Sequence, residues 1–149
     1  MIFISATRLR LRSFWFLLPF LKTNVGTIRQ LKEATGFLKG KTLVDRKLTF
    51  WTLTAWASEK DMKAYRNSGA HLKAMAKLIA WCDEATAVHW TTESTELPGW
   101  TEAAQHIAAP EAHVSKLYHP TANHTAKTFP QPRYPSRLEQ TLLPKERAA

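Results

Sequence analysis

The sequence predicts an α+β fold in which one antiparallel sheet carries helices on one face. Residues 2–12 and 47–57 show the period-two pattern of strands, and β-branched and aromatic residues dominate the second segment. Residues 14–34 instead repeat apolar side chains every three or four positions, as an amphipathic helix does. With 149 residues, 44% of them hydrophobic, the chain can build one domain with a core.

The composition also excludes several classes of protein. The single cysteine, Cys82, excludes an intramolecular disulfide framework and a cysteine-rich zinc site. No apolar run reaches the roughly 18 residues of a membrane-spanning helix, so we expect no transmembrane segment. The apolar run 14–21 follows three arginines, as in a signal peptide, but it contains Pro19 and lacks a small-residue cleavage pattern. We therefore interpret it as the start of a buried helix and expect a cytoplasmic protein.

The first strand and helix are predicted within residues 2–36. Leu9 and Leu11 fall on one face of the strand, and the other face, which we expect to be solvated, carries Arg8, Arg10 and Arg12. The alternative is an anion or nucleic-acid site, which the lack of interleaved aromatic residues disfavours. Ser13 is suited to cap the following helix and Gly36 to end it, whereas Pro19 either delays the helix start or kinks the helix.

The remaining elements follow in the order strand, strand, two helices, strand, helix. We expect strands over 37–46 (with a bulge at Gly40) and 47–57, helices beginning at Ser58 and Ser68, a strand over 84–92 and a helix over 100–108. The resulting order βαββαβ is the ferredoxin-like unit. Because the strand 47–57 carries indoles on both faces and the helices protect one face, we expect the second face to pair with another copy in a homodimer.

Charge and proline are concentrated near the two ends of the chain. Residues 1–33 hold six basic and one acidic residue, 34–109 nine and eight, and 110–149 six and three, which gives the net charge of +9. Six of the eight prolines, Pro135 among them, lie in the last forty residues. We therefore predict a folded domain over 1–109 and a basic, proline-rich, largely extended tail over 110–149.

The segment 64–71 is the main candidate for chemistry. His71 is predicted in the first turn of a helix, where the helix dipole lowers the imidazole pKa and keeps the ring neutral. A neutral imidazole can accept a proton or bind a metal, and Arg66 and Asn67 can donate hydrogen bonds beside it. The alternative is that His71 only caps the helix or bonds a backbone carbonyl.

A cavity lining is expected from aromatic residues and from a second histidine. Tryptophans at these positions either fill the core or line a flat cavity for a planar or polyene ligand, and a lone histidine in a strand is more often structural. The sequence has no phosphate-binding glycine loop, no G-x-S-x-G and no H-E-x-x-H motif, and we predict no metal ligands. The expected pocket residues are Trp51, Trp56, Tyr65, Met75, His89 and Trp90.

The segment 49–71 resembles the dimeric α/β-barrel superfamily, which includes antibiotic-biosynthesis-type and haem-degrading monooxygenases. The resemblance is carried by an aromatic strand ending in Trp56, a capped helix, and then Asn67, Ser68 and His71. Residues 9–14 and 81–84 resemble a spheroidene-monooxygenase-like branch. The resemblance covers residues 2–95 and implies a ferredoxin-like subunit in a homodimeric α/β barrel. Some members oxidise electron-rich aromatic compounds with O₂ and no cofactor, and the named relative of the branch is haem-associated.

The resemblance implies a monooxygenase-like protein that oxidises an apolar conjugated or aromatic small molecule. Haem-degrading relatives carry an aromatic residue where this chain has Tyr65 and their haem-ligating histidine near Met75, which could bind iron only weakly, so haem degradation of that type is not expected. His71 matches a histidine of many non-haem members. Haem and cofactor-free chemistry both stay open, as does the alternative of a non-catalytic protein that binds a hydrophobic ligand or haem. Binding of nucleic acid or of a membrane surface by the basic N-terminal strand is the alternative that we favour least, so we expect no nucleic-acid partner.

Overall fold

A computed structural model describes residues 1–133 and 138–146. Within them, six strands form one antiparallel sheet in the order β5-β4-β1-β3-β2-β6. The strands are β1 (Ile2–Leu11), β2 (Phe37–Asp45), β3 (Thr49–Trp56), β4 (Cys82–Thr92), β5 (His113–Val114) and β6 (Glu139–Leu142). The helices are α1 (Leu17–Glu33), α2 (Glu59–Arg66), α3 (Gly69–Trp81), α4 (Trp100–Ile107) and α5 (Ala122–Ala126). The predicted α+β, ferredoxin-like order is confirmed, with β4-β1-β3-β2 at the centre of the sheet.

The start of α1 resolves the two alternatives for Pro19. The Ser13 hydroxyl accepts a hydrogen bond from the Trp15 N–H (3.3 Å) and caps a single 3₁₀ turn, Phe14–Phe16. The α-helix then begins at Leu17, which places Pro19 in the first turn, where backbone N–H groups have no partner within the helix. Pro19 therefore delays the helix and does not kink it. No helix among the described residues is both long enough and apolar enough to cross a bilayer.

Helices α1, α2 and α3 cover one face of the sheet, as predicted. Two buried clusters lie between the helices and this face. One is built around Trp56, Leu31 and Met62, and the other around Phe20 and Cys82. The side chains on this face of β3 are those of Phe50, Thr52, Thr54 and Trp56, as the period-two pattern indicated.

The opposite face of the sheet is covered within the same chain, so a second copy is not needed to bury it. Helix α4 packs there, and the buried cluster includes Trp51 and Leu53 of β3 together with Trp100 and Ile107 of α4. Phe129, from the segment that follows α5, also packs against this cluster. Our expectation that a second copy must protect this face is therefore wrong. Helix α4 of the same chain already buries Trp51, the indole of β3 on this face.

The prediction that the arginine face of β1 is solvated is also wrong for Arg8. This residue lies on the α4 face, is only 3% exposed, and forms an ion pair with buried Glu84 of β4. Its guanidinium also lies over the Phe129 ring, 4.4 Å from the centroid. Burial raises the pKa of Glu84, but hydrogen bonds from Arg8 and Thr121, together with the charges of Arg8 and Arg10, bring it below its ordinary value. A period-two pattern shows which residues share a face but not whether another element covers it.

The described part of the segment 110–149 packs onto the sheet at both edges. β5 pairs with β4 at one edge, and β6 pairs with β2 at the other. Buried His124 of α5 accepts a hydrogen bond from the Ala85 N–H (3.1 Å), and its Nε2 lies 2.8 Å from the Ser115 carbonyl. The parts of the predicted tail at 134–137, which include Pro135, and at 147–149 lie outside the described residues.

Candidate functional site

A cavity of about 570 Å³ lies between the helix-covered face of the sheet and helices α1 and α3. The size is in the usual range for small-molecule sites in proteins. Most of its wall is apolar, and the contributing side chains include Leu9, Phe20, Ile28, Leu31, Met75 and Leu78. An apolar enclosure of this kind can bury a hydrophobic molecule and exclude water from a reacting centre.

The sheet side of the cavity carries a row of hydroxyl groups. Thr7, Thr52 and Thr42 are cross-strand neighbours on β1, β3 and β2, and all three line the cavity. Beside them, the Thr54 hydroxyl accepts a hydrogen bond from the Trp56 indole N–H at 2.9 Å. The cavity therefore offers one polar wall in a largely apolar space, which can orient a ligand that carries an oxygen.

His71 lines the cavity and is held in place by a side chain from another helix. Gln30 of α1 accepts a hydrogen bond from the His71 N–H (2.8 Å) and donates to the carbonyls of Tyr65 (3.0 Å) and Ser68 (2.9 Å). The Ser68 hydroxyl donates instead to the Ala64 carbonyl (2.7 Å) and does not cap α3. Gln30 thus replaces the predicted cap, because it satisfies an N–H in the first turn of α3.

Gly69 explains why the turn before His71 has the observed shape. Its φ angle is +57°, in the left-handed region that favours glycine. A Cβ atom at this position would also lie 3.2 Å from the amide group of Gln30. The glycine therefore allows both the turn between α2 and α3 and the close approach of the residue that holds His71.

The hydrogen bonding of His71 leaves one ring nitrogen available in the neutral state. Nδ1 lies 3.1 Å from the Arg66 carbonyl oxygen, so the neutral ring carries its proton on Nδ1 and has an unprotonated Nε2. Burial, and next the positive charge of Arg66, lower the pKa of His71, although the hydrogen bond to the Arg66 carbonyl opposes them. The predicted direction of the pKa shift is right, but burial and not the helix dipole is the main cause.

Arg66 and His89 add two more polar side chains to the cavity lining. His89 lies in β4 opposite Ser5 of β1, with its ring 5.6 Å from the Phe3 ring. Burial, followed by the charge of Arg66, also lowers the pKa of His89. The site therefore combines two histidines that favour the neutral state with one permanent cation, which can attract or stabilise a negative charge on a ligand.

The aromatic residues predicted for the pocket divide between the two faces of the sheet. Trp56 and Tyr65 line the cavity, with ring centroids 5.3 Å apart, and Tyr65 lies 4.7 Å from His71. The Tyr65 hydroxyl donates to the Thr27 carbonyl (3.2 Å), and burial raises its pKa, so it stays a neutral phenol. Met75 also lines the cavity.

Three predicted site residues lie elsewhere. Trp51 and Trp90 are on the α4 face, where Trp90 stacks on His106 with centroids 3.8 Å apart, because their positions have the opposite parity from Trp56 and His89. Asn67 is exposed at the end of α2, and its Oδ1 accepts a hydrogen bond from the Nε–H group of Arg66 (3.1 Å). These positions remove Trp51, Trp90 and Asn67 from the set of side chains that line the cavity.

Several residues of the site were not predicted from the sequence. The period-two pattern already placed Thr52 and Thr54 on the same face as Trp56, so the polar wall was detectable. Gln30 gave no local signal, because it is 41 residues from the histidine that it holds. Leu142 of β6 lines the cavity although it lies in the predicted extended tail.

Comparison with known proteins gives one family and a consistent fold. The family model described as "Domain of unknown function (DUF3291)" matches residues 21–135. No curated protein matches the chain in sequence.

Solved structures of low sequence identity share this fold. SnoaB, a cofactor-independent oxygenase from Streptomyces nogalater, is 14% identical, with a TM-score of 0.53 over 63% of this chain and 95% of that chain. A candidate antibiotic biosynthesis monooxygenase from Nitrosomonas europaea is also 14% identical, with a TM-score of 0.54 over 63% and 92%. Rv0793 from Mycobacterium tuberculosis is 11% identical, with a TM-score of 0.55 over 64% and 100%. At these identities the likeness shows the fold alone.

Proposed function

The chain belongs to the DUF3291 family, and from that premise we propose that it is a monooxygenase-like protein whose substrate is an apolar conjugated or aromatic small molecule. The likeness in fold to a cofactor-independent oxygenase supports the reaction class. The observation that carries the proposal is a largely apolar cavity lined by His71, whose Nε2 is unprotonated in the neutral state, and by Arg66 and His89.

The geometry supports a proton transfer that starts an oxidation by O₂. A substrate with an acidic CH₂ group between conjugated systems loses one proton to Nε2 of His71. The carbanion transfers electrons to O₂ and forms a C–O bond, and the resulting peroxide takes the proton back. Loss of the second C–H proton breaks the O–O bond, so one CH₂ group and one O₂ give one C=O group and one water. Arg66 stabilises the negative charge during this sequence.

The test is aerobic turnover of a simple activated compound. We expect the purified protein to accelerate O₂ uptake by anthrone and the formation of its carbonyl product. His71→Gln should lower the rate about 100-fold or more, since a positioned general base typically contributes 10²–10⁴-fold. His106→Gln, on the opposite face of the sheet, is the matched control and should keep the full rate.

Two results would count against this assignment. A full rate in His71→Gln, with loss of rate in His89→Gln, would show that the general base is His89 of β4 and not His71. No acceleration by the wild-type protein with any member of a panel of activated aromatic compounds would remove the oxygenase proposal.

A second candidate function is binding of a hydrophobic ligand or haem without turnover. The specific observation is that Trp56 lines the cavity and that Nδ1 of His71 is held by a carbonyl, as in many metal-ligating histidines. The imidazoles that line the cavity and could ligate an iron there are those of His71, His89 and His113, and Met75 offers only a thioether. Haem binding predicts a Soret shift on addition of haemin that His71→Gln or His89→Gln reduces, whereas an apolar ligand alone predicts saturable quenching of tryptophan fluorescence.

The finer predictions on assembly and location stay proposals. A homodimer follows from the superfamily resemblance, but helix α4 occupies the sheet face through which we expected it to form, so a dimer needs another surface. A cytoplasmic location is proposed from the cysteine content, since the chain has a single cysteine, Cys82. The spheroidene-monooxygenase-like branch likewise stays a prediction from residues 9–14 and 81–84.

A further inference from the structure

Helix α1 and the 3₁₀ turn before it carry a stripe of large apolar side chains that face solvent. Phe14, Trp15 and Leu18 are 73%, 87% and 78% exposed, and Val25 is 59% exposed. Phe14, Leu18, Leu21 and Val25 follow one another at intervals of four, three and four residues, so they share one side of the helix. Contiguous exposed apolar residues of this size mark an interaction surface.

The charged residues around this stripe have one sign. The exposed bases on α1 and on the packed helix α3 are Lys22, Arg29, Lys32, Lys73 and Lys77. The two helices contain a single acidic residue, Glu33, which already pairs with Lys145 at 3.1 Å. Arg8 and Arg10 of β1 do not add to this surface, since Arg8 is buried and Arg10 pairs with Glu84, whereas exposed Arg12, just after β1, lies over the Phe16 ring and adds another base.

This combination of side chains distinguishes between two possible binding partners of the surface, a second copy of the chain and a lipid membrane. A symmetric pair of copies would bring the same basic residues together, with no acidic partners to balance them. An exposed indole, a phenyl ring and a leucine at one helix end, flanked by lysines, are instead the features of a helix that lies in a lipid headgroup region.

We propose that the α1–α3 surface docks on an anionic lipid membrane. Phe14, Trp15 and Leu18 enter the boundary between headgroups and acyl chains, and Lys22, Lys73 and Lys77 contact the lipid phosphates. The same two helices form one wall of the cavity, so docking places the cavity wall next to a reservoir of apolar molecules. The docking itself does not depend on the proposed oxygenase activity.

Vesicle sedimentation tests the proposal with the full-length protein. We expect binding to equimolar phosphatidylglycerol–phosphatidylcholine vesicles and much weaker binding to phosphatidylcholine alone. Trp15→Ser with Leu18→Ser should weaken the binding at least about tenfold, because this removes buried apolar area. Lys22→Gln, Lys73→Gln and Lys77→Gln together should weaken it about a hundredfold, at about 1 kcal/mol for each lysine near an anionic surface.

Matched controls use residues on other elements of the chain. Leu38→Ser on β2 controls for a lost apolar group, and Lys39→Gln, Lys60→Gln and Arg133→Gln control for lost charge. Leu38, Lys60 and Arg133 are exposed and Lys39 is partly exposed, and these variants should keep the wild-type affinity. Circular dichroism checks that each variant is folded.

Three outcomes would overturn the proposal. The first is equal weakening by the control variants, which would indicate non-specific attraction to the net charge. The second is no binding to anionic vesicles by the folded wild-type protein. The third is a wild-type dimer in sedimentation velocity that Trp15→Ser with Leu18→Ser converts to a monomer, which would assign the stripe to a second copy of the chain.

Discussion

At the scale of single residues, the candidate site depends on keeping two imidazoles neutral. Burial lowers the pKa of both His71 and His89, and the charge of Arg66 acts in the same direction on each. The Nδ1 hydrogen bond of His71 to the Arg66 carbonyl then sets which nitrogen can accept a proton. A base of this kind works only above its own pKa, which lies below the ordinary histidine value of 6.5.

The lowered histidine pKa values predict that the protein loses stability in mild acid. The unfolded chain binds protons at His71 and His89 near pH 6.5, whereas the folded chain binds them only at lower pH. Their contribution to the free energy of unfolding is therefore fully present above about pH 6.5 and is lost as the pH falls through the folded-state pKa values. We expect a smaller free energy of unfolding at pH 5.5 than at pH 7.5, measured by urea denaturation.

The control for this prediction replaces the histidines. His71→Gln with His89→Gln should reduce the difference between the two pH values, while His119→Gln, an exposed residue, should leave it unchanged. A wild-type protein that is equally stable or more stable at pH 5.5 would contradict the prediction.

At the scale of elements, the C-terminal strand β6 helps to build both the sheet and the cavity. Leu142 is 1% exposed, belongs to the cluster around Trp56 and lines the cavity, although β6 is an edge strand that pairs only with β2. The predicted extended tail is thus extended as a strand at this point. Its alternation places Leu142 inward and the next residue, Leu143, in solvent.

The alternation in β6 predicts that truncation of two adjacent leucines changes the free energy of unfolding by very different amounts. Leu142→Ala should lower the free energy of unfolding by about 2–5 kcal/mol, since it removes a buried side chain and leaves a cavity. Leu143→Ala should change it by less than about 0.5 kcal/mol, since that side chain is exposed. Urea denaturation of both variants checks the prediction, and similar effects at the two positions would show that β6 does not hold this register.

At the scale of the whole molecule, one chain covers both faces of its own sheet. Helices α1–α3 cover one face, and α4 with Phe129 covers the other. Trp100 of α4 is buried there, and its indole N–H donates to Glu139 of β6 (3.2 Å). Helix α4 therefore contacts the edge strand β6 as well as the core of the sheet.

The intramolecular cover predicts that stability does not depend on pairing through the α4 face. The melting temperature should stay constant over a hundredfold range of protein concentration, because a stabilising subunit interface would make it rise with concentration. Trp100→Ala should lower the free energy of unfolding by about 3–5 kcal/mol at every concentration. A concentration-dependent melting temperature that Trp100→Ala abolishes would place a second copy on this face.

Local patterns were sufficient for the elements and for part of the site. Period-two alternation placed Thr52, Thr54 and Trp56 on one face of β3, and helical spacing with Ser58 as a cap gave α2. His71 was expected at the start of a helix, and it lies in the first turn of α3. These features depend on residues within a few positions of one another, so the backbone conformation that they favour can be read from the sequence.

Contacts between distant residues were decided only by the tertiary structure. Gln30 holds the turn before His71 from another helix, and Arg8 meets Glu84 across 76 residues. Helix α4 was predicted, but whether it covers a sheet face depends on where the chain returns in space. By itself, the sequence therefore determined the ferredoxin-like order and the faces of its strands. The tertiary packing decided which helices cover each face of the sheet, because the free energy of burial depends on all the elements that meet there.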